Sequence, residues 1–297
     1  MQHDGDRYAI AGRDPGQDDG DDRHSAQGRD QDDSPEARRP NRMFGRGHYG
    51  SRVDRMDASG SGRVTDEQFR RNAILARLPE SELAALRPRL EHSGLKRPAY
   101  APGKPIADVF FPLTSVFSLV AVADGRIAVE VATAGHEGMV GLPAYLGATS
   151  SPQAAFCQIP GDTVRIGVSE FRQALILDGV LHALMNRFTQ ATMVQVAQNV
   201  VCNRSHATEA RMARWLATTH DRVGRDEFPL TQAFLAQMLG VHRPTASQTA
   251  RRIQDRGLIR YRRGRITIAD RAGLERAACD CYRIVKAEFD DLRRQPR

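Results

Sequence analysis

The spacing of hydrophobic residues changes several times along the chain, and each change marks an element. Asp66–Leu78 can form a helix with apolar Phe69, Ile74 and Leu78. Pro79-Glu80 restarts a second helix, because proline is tolerated in a first turn, and Leu83, Leu86 and Leu90 give it one apolar face. From Ala99 to about Phe171 the pattern turns to short strands. Val116–Val122 and Arg126–Val131 flank Asp124-Gly125, a strong hairpin signal. Gly135, Gly138, Gly141 and Gly147 punctuate the next stretch, and Ala154–Ile159 and Thr163–Val168 read as two more strands around Pro160-Gly161-Asp162. Many short strands with Gly and Pro turns predict a small antiparallel barrel or jelly roll.

A helical period then holds from about Gly179 to Arg204. Leu181, Leu184, Phe188, Ala191, Val194, Ala197 and Val201 recur at three- and four-residue steps. The stripe could pack on the barrel. Its length, about six turns against the usual three, favours a second partner such as the same helix of another subunit. Leu181, Leu184, Phe188, Ala191, Val194 and Val201 are therefore the expected dimerisation residues. Another helix follows over roughly Ser205–Val223, with Met212, Trp215 and Leu216.

Residues 229–268 carry the most specific pattern. Thr231 can cap a helix that runs to Leu239, with Phe234, Leu235 and Leu239 apolar and Ala236 small where two helices cross. Gly240 ends it, as suits a residue with positive φ, and Val241 plugs the turn. A second helix starts near Arg243 with Pro244 in its first turn. Ala246, Ala250 and Ile253 face inward, which leaves Arg243, Thr245, Ser247, Gln248, Thr249 and Arg251 outside, where they can bond bases or phosphates. Gly257 stops the helix. Leu258–Arg262 and Arg265–Ile268, joined by Arg263-Gly264, then form a hairpin carrying Arg260, Arg262, Arg263 and Arg265. Cations on a hairpin beside such a helix suit phosphate contact and the minor groove. A helix–hairpin module for protein contacts is the alternative.

Charge sharpens this picture. The 297 residues carry a formal +7, unevenly spread. Residues 229–270 hold eight Arg and two Asp, a net +6, whereas residues 1–42 hold seven Arg and eleven acidic residues, a net −4. A cationic block inside a folded domain points to a polyanion. Residues 1–66 show no period and are expected to form a disordered tail. A translation start at Met43 or Met56 is a second way to account for the abrupt change in composition. No apolar run reaches membrane-spanning length, and four scattered cysteines make no disulfide framework, so a cytoplasmic protein is expected.

Over about residues 70–285 the chain resembles the Crp/Fnr family of bacterial transcription regulators, in the order barrel, long helix, winged helix-turn-helix. The resemblance implies an α+β protein with four parts. These are a tail (1–66), a cyclic-nucleotide-binding-like jelly-roll effector domain (67–178), a dimerisation helix (179–204) and a winged helix-turn-helix domain (205–297). It implies a homodimer on a two-fold-related DNA operator, with Thr231 and the outer residues of the second helix and wing at the interface and RNA polymerase as a further partner. The family's base-contacting positions fall on Arg243, Pro244 and Gln248. Arg243 matches; Pro244 replaces a common acidic residue and Gln248 a common Arg, so the family's best-known DNA preference does not carry over.

The nucleotide cradle of the family corresponds to Gly138, Met139, Val140, Gly141, Gln153 and Ala154. Met139 stands where a ribose-holding Glu is expected, and Pro152 or Gln153 where a phosphate-pairing Arg is expected. A buried phosphate without a cation is unfavourable, which predicts weak or no cyclic-AMP binding. The N-terminal iron–sulfur cysteines of the family's oxygen sensors are also missing, since no Cys precedes Cys157. Cys202/His206 and Cys279/Cys281 are two short pairs. Neither alone assigns a metal, so no cofactor is expected, and a metal- or redox-responsive regulator is the alternative function. An enzyme is not expected. Within 99–171 the sole His is His136, beside Glu137, and no Gly-x-Ser-x-Gly, P-loop or Rossmann signature occurs.

Overall fold

The computed structural model describes residues 65–93, 98–123, 126–175 and 178–294. Residues 1–64, which make up nearly all of the expected tail, lie outside the described residues, as does Asp124-Gly125.

The first helix is shorter than its periodicity suggests. α1 spans only Asp66–Phe69. Thr65 and Gln68 close its N-terminus as a capping box, each side chain accepting from the other's backbone N–H. Asn72 then diverts the chain. Its buried amide donates to the carbonyls of Pro112 and Gly138, and its oxygen accepts from the N–H groups of Ile74 and Leu75. That side-chain competition replaces the expected continuation to Leu78 with one 3₁₀ turn, Leu75–Arg77. α2 follows as Glu80–Leu86, with Pro79 as its N-cap.

The strands are β1 (Glu91–His92), β2 (Asp108–Pro112), β3 (Val116–Ala123), β4 (Arg126–Ala134), β5 (Ala154–Ile159) and β6 (Thr163–Gly167). They form two three-stranded antiparallel sheets, ordered β1-β6-β2 and β4-β3-β5. β5 and β6 exist where the sequence places them, but Pro160-Gly161-Asp162 carries the chain from one sheet to the other. Phe110, Phe111, Phe117, Val109 and Ile166 are buried in the core. Short helices α3 (Leu142–Tyr145) and α4 (Val168–Ala174) flank the sheets.

α5 spans Val180–Ser205, about 39 Å at 1.5 Å per residue. Glu82 of α2 caps it, accepting from the N–H groups of Val180 at 2.7 Å and Leu181 at 2.8 Å, where a carboxylate suits the positive helix end. Leu181, Leu184, Met185, Phe188 and Ala191 are buried against the two sheets of the same chain. The buried stripe then turns polar. Gln195 donates to Thr133 Oγ1 at 3.2 Å, and Asn199 donates to the Val131 carbonyl at 2.7 Å. Met193, Val200 and Val201 are left exposed at 63%, 66% and 48%. Among the described residues no helix is long and apolar enough to cross a membrane.

The remaining elements are α6 (Thr208–Val223), β7 (Glu227–Pro229), α7 (Gln232–Leu239), α8 (Arg243–Asp255), β8 (Ile259–Arg262), β9 (Arg265–Ile268), α9 (Arg271–Ala277) and α10 (Cys281–Arg293). Their core merges with the β4-β3-β5 sheet, since Val116, Val120, Ala154 and Ile159 pack in one cluster with Trp215, Leu216 and Phe234. α10 leaves this unit and returns to the barrel core through Val285, Phe289 and Leu292, with Phe289 against Phe188.

Candidate nucleic-acid interface

α7 and α8 make the helix-turn-helix. The Thr231 hydroxyl accepts from Phe234 N–H at 3.1 Å, and Gly240 ends α7 at φ 62°, a conformation that favours glycine. Ala246, Ala250 and Ile253 seat α8 on α7 and α6, with Ala236 small at the crossing. β8 and β9 pair as the expected hairpin, and β7 adds a third strand against β9. Arg263 and Gly264 both adopt positive φ, 49° and 75°, the two-residue turn that matches strand twist. Tyr261 fixes the wing to the helices. Its N–H donates to Gln254 Oε1 at 2.7 Å and its hydroxyl to the Leu230 carbonyl at 2.8 Å.

The outer face of α8 presents Arg243, Pro244, Thr245, Gln248 and Arg251, all exposed. Arg260, Arg262 and Arg263 are exposed on the wing. None of these arginines has an ion-pair partner among the described residues. Four expected contacts are placed differently. Thr249 is buried, because its helical position turns it toward the core. Ser247 is half-buried and donates to Gln232 Oε1 at 2.7 Å, so its hydroxyl braces the two helices. Arg265 pairs with Glu227 across β7 and β9, so its charge is balanced locally. The Thr231 hydroxyl is engaged as a cap. One residue was missed. Arg252 is exposed and four residues beyond Gln248, a spacing that puts both on one helical face.

The residues that correspond to the family's nucleotide cradle are packed as core instead. Met139, Val140 and Ala154 are 1%, 0% and 0% exposed. A Cβ on Gly138 would clash with the Phe188 ring, so α5 fills the space behind the loop. Gly141 starts α3 at φ 113°, and Gln153 is half-buried. Glu137, not singled out as a site residue from sequence, instead forms a buried ion pair with Arg222 of α6 at 2.6 Å. Burial alone would raise its carboxyl, but the Arg222 guanidinium, His136 and the Gly135 N–H outweigh that and hold it low. Nearby, Glu130 accepts from Ser118 Oγ and Trp215 Nε1, both at 2.6 Å. Burial still pushes its carboxyl up to about 7.

The two cysteine pairs, separate in sequence, meet. The ligand atoms of Cys202, His206, Cys279 and Cys281 all lie within 4.8 Å of one another. Cys157 stands apart on β5, its thiol pushed up to about 12 by burial.

A family model described as the Crp-like helix-turn-helix domain matches residues 210–277. No curated protein matches the chain in sequence. Among solved structures, the chain is similar to a transcriptional regulator of the Crp/Fnr family from Eubacterium rectale. That pair shares 17% identity over 69% of this chain and 96% of the other, with a TM-score of 0.53. It is also similar to a CRP-family regulator of Thermus thermophilus (19%, 63% and 96%, TM-score 0.52). A third is FixK2 from Bradyrhizobium japonicum (16%, 64% and 96%, TM-score 0.53). Residues 210–277 thus match a Crp-like helix-turn-helix domain, and the chain shares its fold with solved regulators of the Crp/Fnr family.

Proposed function

We propose that the chain is a cytoplasmic, homodimeric, sequence-specific DNA-binding transcription regulator, with α8 in the major groove and the wing on the adjoining backbone. The observation that carries this reading is the set of exposed arginines on α8 and the β8–β9 hairpin that have no ion-pair partner among the described residues. Exposed Arg243, Thr245 and Gln248 near the N-terminus of α8 suit base edges, and exposed Arg251, Arg252, Arg260, Arg262 and Arg263 suit phosphates. Gly257 and the Arg263-Gly264 turn fix the wing beside that helix. The second subunit is assigned to the outer face of α5. Leu181, Leu184, Phe188 and Ala191, expected from sequence to meet it, are already buried in the protomer. Met193, Ala197 and Val200 instead recur in steps of four and three, the spacing of a two-helix seam, with Val194 and Val201 alongside.

Regulation through RNA polymerase follows from such a dimer beside a promoter, and in vitro transcription on a bound promoter tests that step. Cyclic AMP is not its signal. The loop has lost its cation, and its interior is packed by Met139, Val140 and Phe188. Calorimetry that detects micromolar cyclic-AMP binding would contradict this. DNA binding itself is tested by titrating the full chain onto genomic promoter fragments at two salt concentrations. The expected result is a few fragments retained at the higher salt; equal, weak retention of every fragment would contradict sequence-specific binding.

A further inference from the structure

The Cys202/His206/Cys279/Cys281 cluster lies where three segments converge. Cys202 and His206 close the last turn of α5, with His206 N–H donating to the Cys202 carbonyl at 3.2 Å. Cys279 lies in the turn after α9, and Cys281 opens α10. The three thiols are buried and the imidazole is half-buried. Cys202 Sγ is 3.5 Å from Cys279 Sγ, and Cys281 Sγ is 3.6 Å from His206 Nδ1.

These distances discriminate among chemistries. A tetrahedral ion with metal–sulfur bonds of about 2.3 Å and metal–nitrogen bonds of about 2.05 Å sets sulfur pairs about 3.8 Å apart and sulfur–nitrogen pairs about 3.6 Å apart. The observed separations lie close to both. A Cys202–Cys279 disulfide would leave the approach of His206 and Cys281 without a purpose. An iron–sulfur cluster with ligands on separate irons needs a wider spread than four atoms within 4.8 Å of one another. Three thiolates and a neutral imidazole around a divalent ion leave one negative charge. α6 supplies cations to meet it. Arg214 is 8% exposed, its Nε has no hydrogen-bond partner among the described residues, and both it and Arg211 act electrostatically on Cys202.

We infer that Cys202, His206, Cys279 and Cys281 bind one zinc-class divalent ion, which ties α10 to the α5–α6 hinge and makes DNA affinity depend on metal loading. All four positions come from the protein, as in closed, structural zinc sites. Each thiol still protonated releases its proton to solvent when the ion binds. The site sits between the proposed dimer helix and the helix-turn-helix unit. Metal loss therefore frees α10, whose Val285, Phe289 and Leu292 pack in the barrel core, and loosens the hinge. The coupling to DNA rests on the regulator reading; the metal site does not.

The test uses the full chain purified without chelator. Elemental analysis should give one zinc per chain in the wild type and in the Cys157→Ser control. Cobalt added to the metal-free protein should give the visible bands of a tetrahedral thiolate site. Cys281→Ser and His206→Gln should each lower zinc affinity more than roughly tenfold in competition with a chromophoric chelator. Absence of zinc together with absence of a cobalt spectrum would overturn the site. So would a Cys202–Cys279 disulfide that, once reduced, takes up no metal. On an operator fragment, the loaded protein should bind at least roughly tenfold more tightly than the chelated protein, a coupling of about 1.4 kcal/mol. Equal affinities would overturn the regulatory half. A chain that holds zinc but binds no DNA in either form would instead overturn the regulator reading and support the metal site.

Discussion

Replacing Arg222 by Met isolates one of the contacts that join α6 to the sheets, its buried ion pair with Glu137. Arg222 is 4% exposed and Glu137 2%, with Nε donating to Oε1 at 2.6 Å. The guanidinium also donates to Thr133 Oγ1 and lies 5.3 Å from the Phe289 ring centre. Met roughly preserves the volume and the contact with Phe289 but removes the charge. Glu137 then keeps the Gly135 N–H at 3.0 Å as a donor, while its Oε2 already has none among the described residues. Stranding a buried charge this way costs about 3–5 kcal/mol, a large share of a typical stability of about 5–15 kcal/mol. The pH dependence has a definite sign. In the wild type Glu137 is held low, so its contribution is present above the usual carboxylate range and lost as pH falls through the folded value. In Arg222→Met, burial raises the same carboxyl, which favours the folded variant at low pH. The gap between the two proteins should therefore be widest near pH 8 and narrow toward pH 5. Urea unfolding followed by fluorescence of Trp215, the single Trp, measures it. Adding Glu137→Gln should recover most of the loss, because no charge is then stranded. A single variant within about 1 kcal/mol of wild type at pH 8, or a double variant as unstable as the sum of the singles, would refute the reasoning.

Four further variants have definite expected outcomes. Glu130→Gln should be more stable than wild type at pH 8 by up to about 3 kcal/mol. Its raised carboxyl contributes stability below the unfolded value that is lost as pH rises through about 7, so the difference should vanish near pH 4.5 in the same urea assay. Val200→Asp should leave the fold intact by circular dichroism but shift the chain to monomer in analytical ultracentrifugation. Leu181→Ala should do the reverse, costing about 2–5 kcal/mol of stability without changing oligomeric state. Arg263→Ala should weaken DNA binding uniformly across sequences and lower the salt slope by about one, measured by fluorescence anisotropy over a salt series.

The helix-turn-helix was legible because its signals are local. Thr231, Gly240, Pro244, Gly257 and Arg263-Gly264 each dictate backbone geometry within a few residues of themselves. α5 shows where such reading fails. Following apolar letters leads from Ala191 to Val194, Ala197 and Val201. The buried stripe instead continues through Gln195, Asn199 and Cys202, whose polar atoms meet β4 and the cysteine cluster. A helix face whose buried residues are partly polar is ranked wrongly by hydrophobicity alone. The Glu137–Arg222 pair spans 85 positions and the Cys202–Cys279 approach 77, so no window of sequence could join them. Asn72 is a subtler case. Its amide ends α1 early by reaching carbonyls 40 and 66 positions away.

In the proposed dimer, two copies of α8 read a two-fold DNA site. Selection from a random duplex pool with the full chain tests it directly. The account predicts an inverted repeat with half-sites about 10–10.5 base pairs apart, centre to centre. It also predicts that Arg243→Ala relaxes preference within each half-site, at a cost of about 1–3 kcal/mol per specific contact. Recovery of no enriched motif, or of one unchanged by Arg243→Ala, would contradict it.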